Sequence, residues 1–481
     1  MFLVRSPRRL ALAATAVACL ALAACSGGKS ATEQAPLGTS TSSPSSSSSA
    51  SSTSSTSSGT AGTGSATSSG SAGSTSGGGG SSSSSAGGAP VTITHWQHQS
   101  DAREKLLNGF KDDFHTKTGN TIDFQSIPYD SYFQKLGAAL EAGNGPCVFQ
   151  LPANIVGEYQ ARGDLAPVPE SVLSAADIAK DFIPASTALL KIGGEYYGLP
   201  TDFQTFLLFY NDDLFREAGL DPTKDFATWD EFRQAAVKLT KTNGDQLVQA
   251  GIDIAASPYQ WYYSAPTLAF PNGLVDKATG TVTYDNATGD QVWKRMTDLI
   301  TQDHVDSAKF LTGQSKFALG KAGMILREYT FTGVYKISAP DVKYSVHIAP
   351  PVADKTYAPV ASTSWSYVVS KKCATPEQAW QWVSFLTSED SERTWAAGGG
   401  ELPSRVSLAQ DPTLRKDPNV VVGLDSMSKA MPYNSLGWDD VFAIQQQIWD
   451  EITLGGVDVR TAVDKGAKGE DALYKKKGLA G

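Results

Sequence analysis

Residues 195–232 read EYYGLPTDFQTFLLFYNDDLFREAGLDPTKDFATWDEF, and this stretch decides the fold. Pro200 breaks regular structure after a short apolar opening. Residues 206–210, FLLFY, then form a near-continuous apolar run, the pattern of a strand covered on both faces. Asn211, Asp212 and Asp213 stop that strand and start a helix at Leu214. A second helix opens with a capping box, Thr228 at the N-cap and Glu231 three residues on. Phe232, Ala235, Ala236 and Leu239 recur at i, i+3, i+4 and i+7, one buried stripe.

Working outward, the amino-terminal side repeats the strand-then-helix order. Residues 91–96 read as a strand, and Asp101 with Glu104 as a capping box. The helix that follows turns Leu106, Leu107, Phe110 and Phe114 inward and ends at Gly119. Strands are expected at 122–127 and 148–151, with a helix between them capped by Asp130 and another ending at Arg162. Such alternation implies a parallel sheet covered on both faces, with ligands beyond the carboxyl ends of its strands. That nominates residues 96–100 and 150–154. On the carboxyl side, strands are expected at 251–254, 322–326 and 364–370. Helices are expected at 291–301, 315–319 and 376–386, and a last amphipathic helix carries Val441, Ile444, Ile448 and Ile452.

The chain of 481 residues is long enough for two or three domains. Its first 25 residues form an export signal: Arg5, Arg8 and Arg9 precede an apolar core, residues 10–23, too short for a comfortable permanent span. The run ends in Leu22-Ala23-Ala24-Cys25, the pattern of a lipobox whose cysteine takes a diacylglycerol. Arg8-Arg9 also permits twin-arginine export. Removing three arginines lowers the net charge from −9 to −12, which argues against nucleic acid or an anionic membrane surface as partner. Residues 26–90 are almost only Ser, Thr, Gly and Ala, so they have nothing to bury and are expected to be a disordered tether. A flexible coil of about 65 residues spans roughly 40–50 Å.

The strand, "YN-D-LF" and "TWDEF" order resembles the crossover between the lobes of family 1 extracellular solute-binding proteins, the sugar-capturing subunits of ABC importers. The same family is similar in ITHW, IPYDSYFQKL, GNGP, VFQ and ARGDLAPV on the amino-terminal side, and in ALGKAGM (318–324) and GGGELPSR (398–405) later. The resemblance covers about residues 91–454. It implies an α/β, two-lobed periplasmic-binding-protein-like (type II) fold with a hinge. Lobe 1 would hold 91–205 and about 345–420, and lobe 2 would hold 206–344 and about 421–481. Two departures stand out: Cys147 where the family usually has Asp, and Glu328 and Thr330 where it usually has Gly and Trp.

Carried over from the maltose-type members, the stacking ring of "E-P-Y" falls on Tyr259, the Trp six residues past a Pro falls on Trp438, and the acidic hinge residue falls on Gln204. Lobe 1 offers His98, Gln99 and Asn154 as rim groups by loop position, and Trp96 as a ring that either stacks or packs. Tyr329 and Trp365 complete the candidate ligand-binding set. Sugars present apolar faces and hydroxyl rims, which rings and amide or carboxylate groups match. After Cys19 is cleaved away and Cys25 lipidated, Cys147 and Cys373 remain, an even pair in an oxidising compartment. The family's arrangement sets their two strands side by side, so a disulfide between them is expected.

Catalysis finds little support in the residues. His95 and His98 lie at i, i+3 with no third ligand to complete a metal site. Ser426 and Lys429 match S-x-x-K, but the chain's Lys-Thr-Gly lies upstream, in the wrong order. The reading is therefore a monomeric, lipid-anchored, extracytoplasmic binder of a small carbohydrate. It would dock on ABC permease transmembrane subunits, with no cofactor, metal or nucleic acid. The alternatives are a cell-surface carbohydrate-degrading enzyme and a solute-binding protein for a non-sugar ligand.

Overall fold

A computed structural model describes residues 89–255, 258–270, 273–276, 279–433 and 438–477. The stretch read as an export signal, Cys25, nearly all of the segment read as a tether and the side chain of Trp438 lie outside the described residues.

Two sheets are built around the crossover. The first contains β1 (Thr92–His98), β2 (Thr121–Ile127), β3 (Val148–Pro152) and the short β4 (Leu165–Ala166) and β5 (Leu199–Pro200). The second contains β6 (Gln204–Asn211), β7 (Lys241–Asn243), β8 (Gln246–Asp253), β9 (Ala322–Glu328), β10 (Tyr344–His347) and β11 (Val360–Thr363). The chain returns to the first sheet as β12 (Trp365–Ser370) and adds β13 (Ala430–Pro432) to the second. The first sheet runs β2-β1-β3-β12-β4, with β5 also on β12; the second runs β13-β11-β6-β9-β8-β7, with β10 also on β6. β1, β2 and β3 are mutually parallel, while β12 returns antiparallel to β3 with Trp365 opposite Pro152.

All eight residues of β6 are buried, as the unbroken apolar run of the crossover requires. The capping box forms: Thr228 Oγ1 accepts from Glu231 N at 3.2 Å, and Glu231 Oε2 accepts from Ala227 N at 2.8 Å. Helices cover the sheets. The longer ones are α1 (Asp101–Thr118), α2 (Tyr129–Glu141), α3 (Trp229–Leu239), α4 (Tyr259–Ala269), α5 (Ala287–Thr301) and α6 (Phe331–Ser338), and a short helix, Asp212–Glu217, follows β6 as expected. After the return come α7 (Pro376–Leu386), α8 (Glu389–Gly399), α9 (Pro418–Met427), α10 (Trp438–Thr453) and α11 (Val459–Lys477). One apolar core lies under β1, β3 and β12 against α1, α2 and α7, and two more flank β6 and β9.

The strand expected at 364–370 does return to the first sheet, as β12, while β10 and β11 before it are both hydrogen-bonded to β6. Several expectations are corrected. Residues 316–320 form turns rather than a helix, since Asp253 Oδ2 takes the Phe317 amide (3.1 Å) out of any helical ladder. Asp101 is not a cap: Ser100 occupies that position, and Glu104 accepts from Ser126 instead. Pro128, not Asp130, precedes the first residue of α2. Strand β1 runs on to His98, which leaves Trp96 inside it.

Cys147 and Cys373 are joined in a disulfide, with Cα atoms 4.7 Å apart. It sits at the amino end of β3, where Ser370 N donates to Cys147 O at 2.8 Å.

Candidate ligand-binding cleft

The carboxyl ends of the parallel strands are where side chains run out of neighbours. β1 ends in His98, whose ring lies 4.3 Å from that of Trp365 at the head of β12. Tyr129 and Tyr132, on the first turn of α2, meet His98 edge-on at 5.8 and 6.3 Å. Phe133, one turn on from Tyr129, lies nearly parallel to Trp365 at 6.3 Å. Burial, with the Arg103 charge nearby, lowers the His98 pKa to about 3, so the ring is neutral and behaves as part of an aromatic wall. Beside it, β3 gives way to Asn154, only 8% exposed, whose amide nitrogen and oxygen are both buried with no hydrogen-bond partner. A buried amide with its hydrogen-bonding capacity unmet is costly, which is tolerated where a ligand supplies the partners.

The hinge is held by buried charge. Asp202 Oδ1 accepts from the Trp365 amide at 2.9 Å and from Thr201 Oγ1 at 3.2 Å. Its Oδ2 accepts from Gln204 Nε2 at 2.5 Å, and Gln204 Oε1 accepts from Thr330 N of the second lobe at 3.2 Å. Arg103, on the buried stripe of α1, donates to Glu401 Oε1 at 2.9 Å and stands 4.0 Å from Asp202 Oδ2. Burial pushes the Glu401 carboxyl up to about 8 against the pull of Arg103.

The second lobe faces this wall with the ends of β8 and β9. Beyond β8, the amides of Ile254 and Ala255 donate to Asp306 Oδ2 at 3.0 and 2.8 Å, and the buried Lys316 lies 3.2 Å from the same oxygen. This clamp fixes the backbone just past β8, on the way to α4, whose first residue is Tyr259. Arg327 Nη1 donates to the Tyr259 hydroxyl at 3.0 Å. Glu328, the last residue of β9, has its Oε2 buried without a partner, and burial raises its pKa. Tyr263 stacks on Tyr433 at 3.6 Å. Burial, with Tyr433, Glu328 and Tyr129 of the other lobe nearby, holds the Tyr263 hydroxyl well above its ordinary pKa.

Of the residues nominated from sequence, His98, Asn154 and Trp365 come together on the first lobe, and Tyr259 lies on the second with Gln204 between. Gln99 is exposed at the rim, its amide bonded to Ile127 O. Trp96 is half-buried in the first core with the Lys135 ammonium 5.2 Å from its ring centre. Tyr329 does not join them. It is 3% exposed in the core behind β6, packed so closely that a Cβ on Gly423 would lie 2.7 Å from its ring. Trp438 opens α10, and its side chain is outside the described residues. Sequence reading missed Tyr129, Phe133, Arg103, Asp202 and Glu401. The first two were findable as an i, i+4 aromatic pair on a helix that starts at a strand's carboxyl end.

Ser345 Oγ, His347 Nε2 and Nδ1 and Asp225 Oδ1 align at 2.9 and 2.7 Å, in the order of a hydrolytic triad. The hydroxyl is also bonded to Asp212 Oδ1 at 2.7 Å and to Pro222 O at 3.1 Å, and the imidazole is stacked 4.0 Å from Tyr210. With that many acceptors competing for one proton, the alignment ties a loop to β10. Among the described residues, no group of three His, Cys, Asp or Glu could hold a metal ion.

Residues 99–393 match the family described as bacterial extracellular solute-binding protein. The chain belongs to that family. A Sinorhizobium fredii protein named as an amino-acid ABC transporter periplasmic-binding protein is 24% identical over 364 residues, 73% of this chain and 81% of its own. The arabinooligosaccharide-binding protein of Bacillus subtilis is 24% identical over 292 residues, 58% of this chain and 64% of its own. The fold is also that of an ABC transporter solute-binding protein from Thermotoga lettingae bound with α-D-tagatose. That likeness has a TM-score of 0.69 and 23% identity, and covers 79% of this chain and 99% of that one. Among the described residues, no helix is long and apolar enough to cross a membrane.

Proposed function

We propose that this solute-binding protein captures a carbohydrate between its lobes and delivers it to the permease subunits of an ABC importer, without catalysis. It would act as a monomer outside the cytoplasm, anchored by a lipid on Cys25. The observation that carries the reading is the wall of Trp365, His98, Tyr129 and Phe133 standing beside the unpartnered amide of Asn154. Rings for the apolar face and an open amide for the hydroxyls are what a sugar needs.

In this reading Tyr259 and Trp438 stack on the ligand, Glu328 accepts from its hydroxyls, and Gln99 lies at the rim. Trp96 and Tyr329 are assigned to packing. Gln204 is a hinge residue: it bonds both Asp202 and the Thr330 amide, so closing the lobes on a ligand is felt at one side chain. A ligand that touches both lobes shifts the open–closed balance by its differential affinity, and the closed form is what the permease reads.

The test is a thermal-shift and calorimetry panel of mono-, di- and oligosaccharides beside the common amino acids. Saturable stabilisation by a sugar without product formation supports the reading. Stabilisation by amino acids alone would replace it with the second reading, which the Sinorhizobium relative's name favours. Turnover of a bound sugar would sink both.

A further inference from the structure

A cavity of about 260 Å³ lies behind the hinge, on the opposite face of β6 and β9 from α4. Its walls come from both lobes. Ala396 and Ala397 belong to α8, whose Trp395 is part of the first core, while Thr332 and Lys336 of α6 and Leu424 of α9 stand against the second sheet. Gly400 lies at the seam: it lines the cavity, and a Cβ on it would lie 2.9 Å from Gly333 of α6. The Tyr344 hydroxyl donates to Thr332 O at 3.1 Å, which ties β10 to the same wall. Of the described residues that line the cavity, none belongs to the aromatic wall of the cleft.

Most of the lining is apolar, with Tyr329, Tyr344, Leu402 and Leu424 forming its body. The polar groups differ in depth. Lys336 and Lys416 are exposed, and among the described residues neither is in an ion pair. Asp417, next in the chain, is occupied in capping α9, where its Oδ1 accepts from Asn419 N at 2.8 Å. Glu401, by contrast, is only 7% exposed. Its Oε1 accepts from Arg103 Nη1 at 2.9 Å, and its Oε2 is buried with no partner. Burial pushes this acid up to about 8, so near neutral pH it keeps its proton, on the oxygen that Arg103 leaves open. A buried donor with no acceptor is costly, and a ligand oxygen would relieve that cost.

We propose that this cavity is a second ligand site, for a compact monocarboxylate with an aromatic body and an oxygen at its far end. The carboxylate lies between Lys336 and Lys416, the body lies against Tyr329 and Leu424, and the far oxygen accepts from Glu401. The volume falls just below the roughly 300–1,000 Å³ of pockets for drug-sized ligands, which leaves no room for an oligosaccharide. The site does not depend on the carbohydrate reading. Because its ligand touches both lobes, the affinities of this ligand and of the cleft ligand are linked by one common factor.

The full chain in detergent is titrated calorimetrically with 4-hydroxybenzoate, benzoate and 4-hydroxybenzyl alcohol. One 4-hydroxybenzoate is expected per molecule, bound about tenfold or more tightly than either analogue, since each analogue lacks one of the two polar ends. Ala397→Trp, at an exposed position of α8, fills the cavity and should weaken 4-hydroxybenzoate about tenfold or more. Lys336→Gln combined with Lys416→Gln, both at exposed positions, should erase the preference for the carboxylate over the alcohol, and serves should the tryptophan variant misfold. No binding of any of the three probes overturns the site. Binding that survives these variants but is lost in Trp365→Ala puts the anion in the cleft and overturns it as well. Benzoate bound as tightly as 4-hydroxybenzoate refutes the role of Glu401. With the cleft ligand present, a common shift of about fivefold or more in both affinities supports the linkage, and unchanged affinities refute it.

Discussion

Removing the Cys147–Cys373 bridge by a double alanine substitution should destabilise the protein and spare its ligand affinity. The bridged residues are 226 apart in sequence, so the closed loop contains the whole crossover and most of the second lobe. In the chain-entropy model a loop of that length restricts the unfolded ensemble by about 18 cal/mol/K, or about 5 kcal/mol at room temperature. Residual structure in the unfolded chain lowers that figure, so a loss of ~3–5 kcal/mol is expected. Affinity should hold because the bridge lies at the far end of β3 from Trp365. Five residues separate Cys147 from Pro152, about 17 Å of strand. The assay is urea unfolding followed by tryptophan fluorescence, with and without the substitutions, alongside calorimetry with the ligand that the panel identifies. Two reactive thiols per molecule in denatured, unreduced protein beginning near Ala89 would end the bridge. An intact bridge whose removal leaves the urea midpoint unchanged would refute the loop-entropy reasoning instead.

Four further outcomes are expected. Trp365→Ala should weaken ligand binding by ~1–3 kcal/mol in calorimetry, while costing less stability than a fully buried ring, because Trp365 is only half-buried. Asn154→Leu should abolish a large part of the affinity yet raise the urea midpoint or leave it unchanged, since it removes an unmet amide; a clear loss of stability would show that the amide has partners of its own. Stability should fall as pH rises towards about 8, because folded Glu401 keeps its proton to about 8 and the unfolded acid releases it near 4.5. One proton taken up on folding tilts stability by ~1.4 kcal/mol per pH unit, and Glu401→Gln should remove the part of the slope nearest pH 8, where Glu392 and Glu470, each at about 7, contribute less. Cys25→Ala should release the protein from membranes, and deleting residues 40–88 should leave affinity unchanged; a membrane-bound alanine variant would disprove the anchor.

The parts of the fold legible in the sequence are those written in local pattern. The run from Phe206 to Tyr210 has no polar residue, so it had to be covered on both faces, and it became the strand on which the second sheet is built. The return at Ser364 was legible only through the family resemblance, which set the strand 364–370 beside 148–151. Nothing local says that Thr363 pairs with Gln204 in one sheet while Trp365 pairs with Pro152 in the other. Partner choice is long-range. Arg103 was hidden for a related reason. It falls on the same face of α1 as Leu107, Phe110 and Phe114, where an arginine is buried only because Glu401, 298 residues away, arrives to meet it.

The same long-range pairing gives the candidate site its mechanical sense. Trp365 is held by Asp202 through its amide, so the ring that would meet a ligand is fixed by the carboxylate that also binds Gln204. Gln204 in turn holds the Thr330 amide, two residues past Glu328 at the end of β9. On the other side Asp202 stands near Arg103, whose partner Glu401 follows Gly400, and a Cβ on Gly400 would lie 2.9 Å from Gly333 of α6. Both lobes therefore touch the hinge carboxylate through short, buried, directional bonds. A displacement of one lobe must stretch at least one of them, and buried hydrogen bonds to charge lose strength steeply with distance. Such a linkage favours two discrete arrangements over a continuum, which is the behaviour a permease needs in order to tell a loaded protein from an empty one.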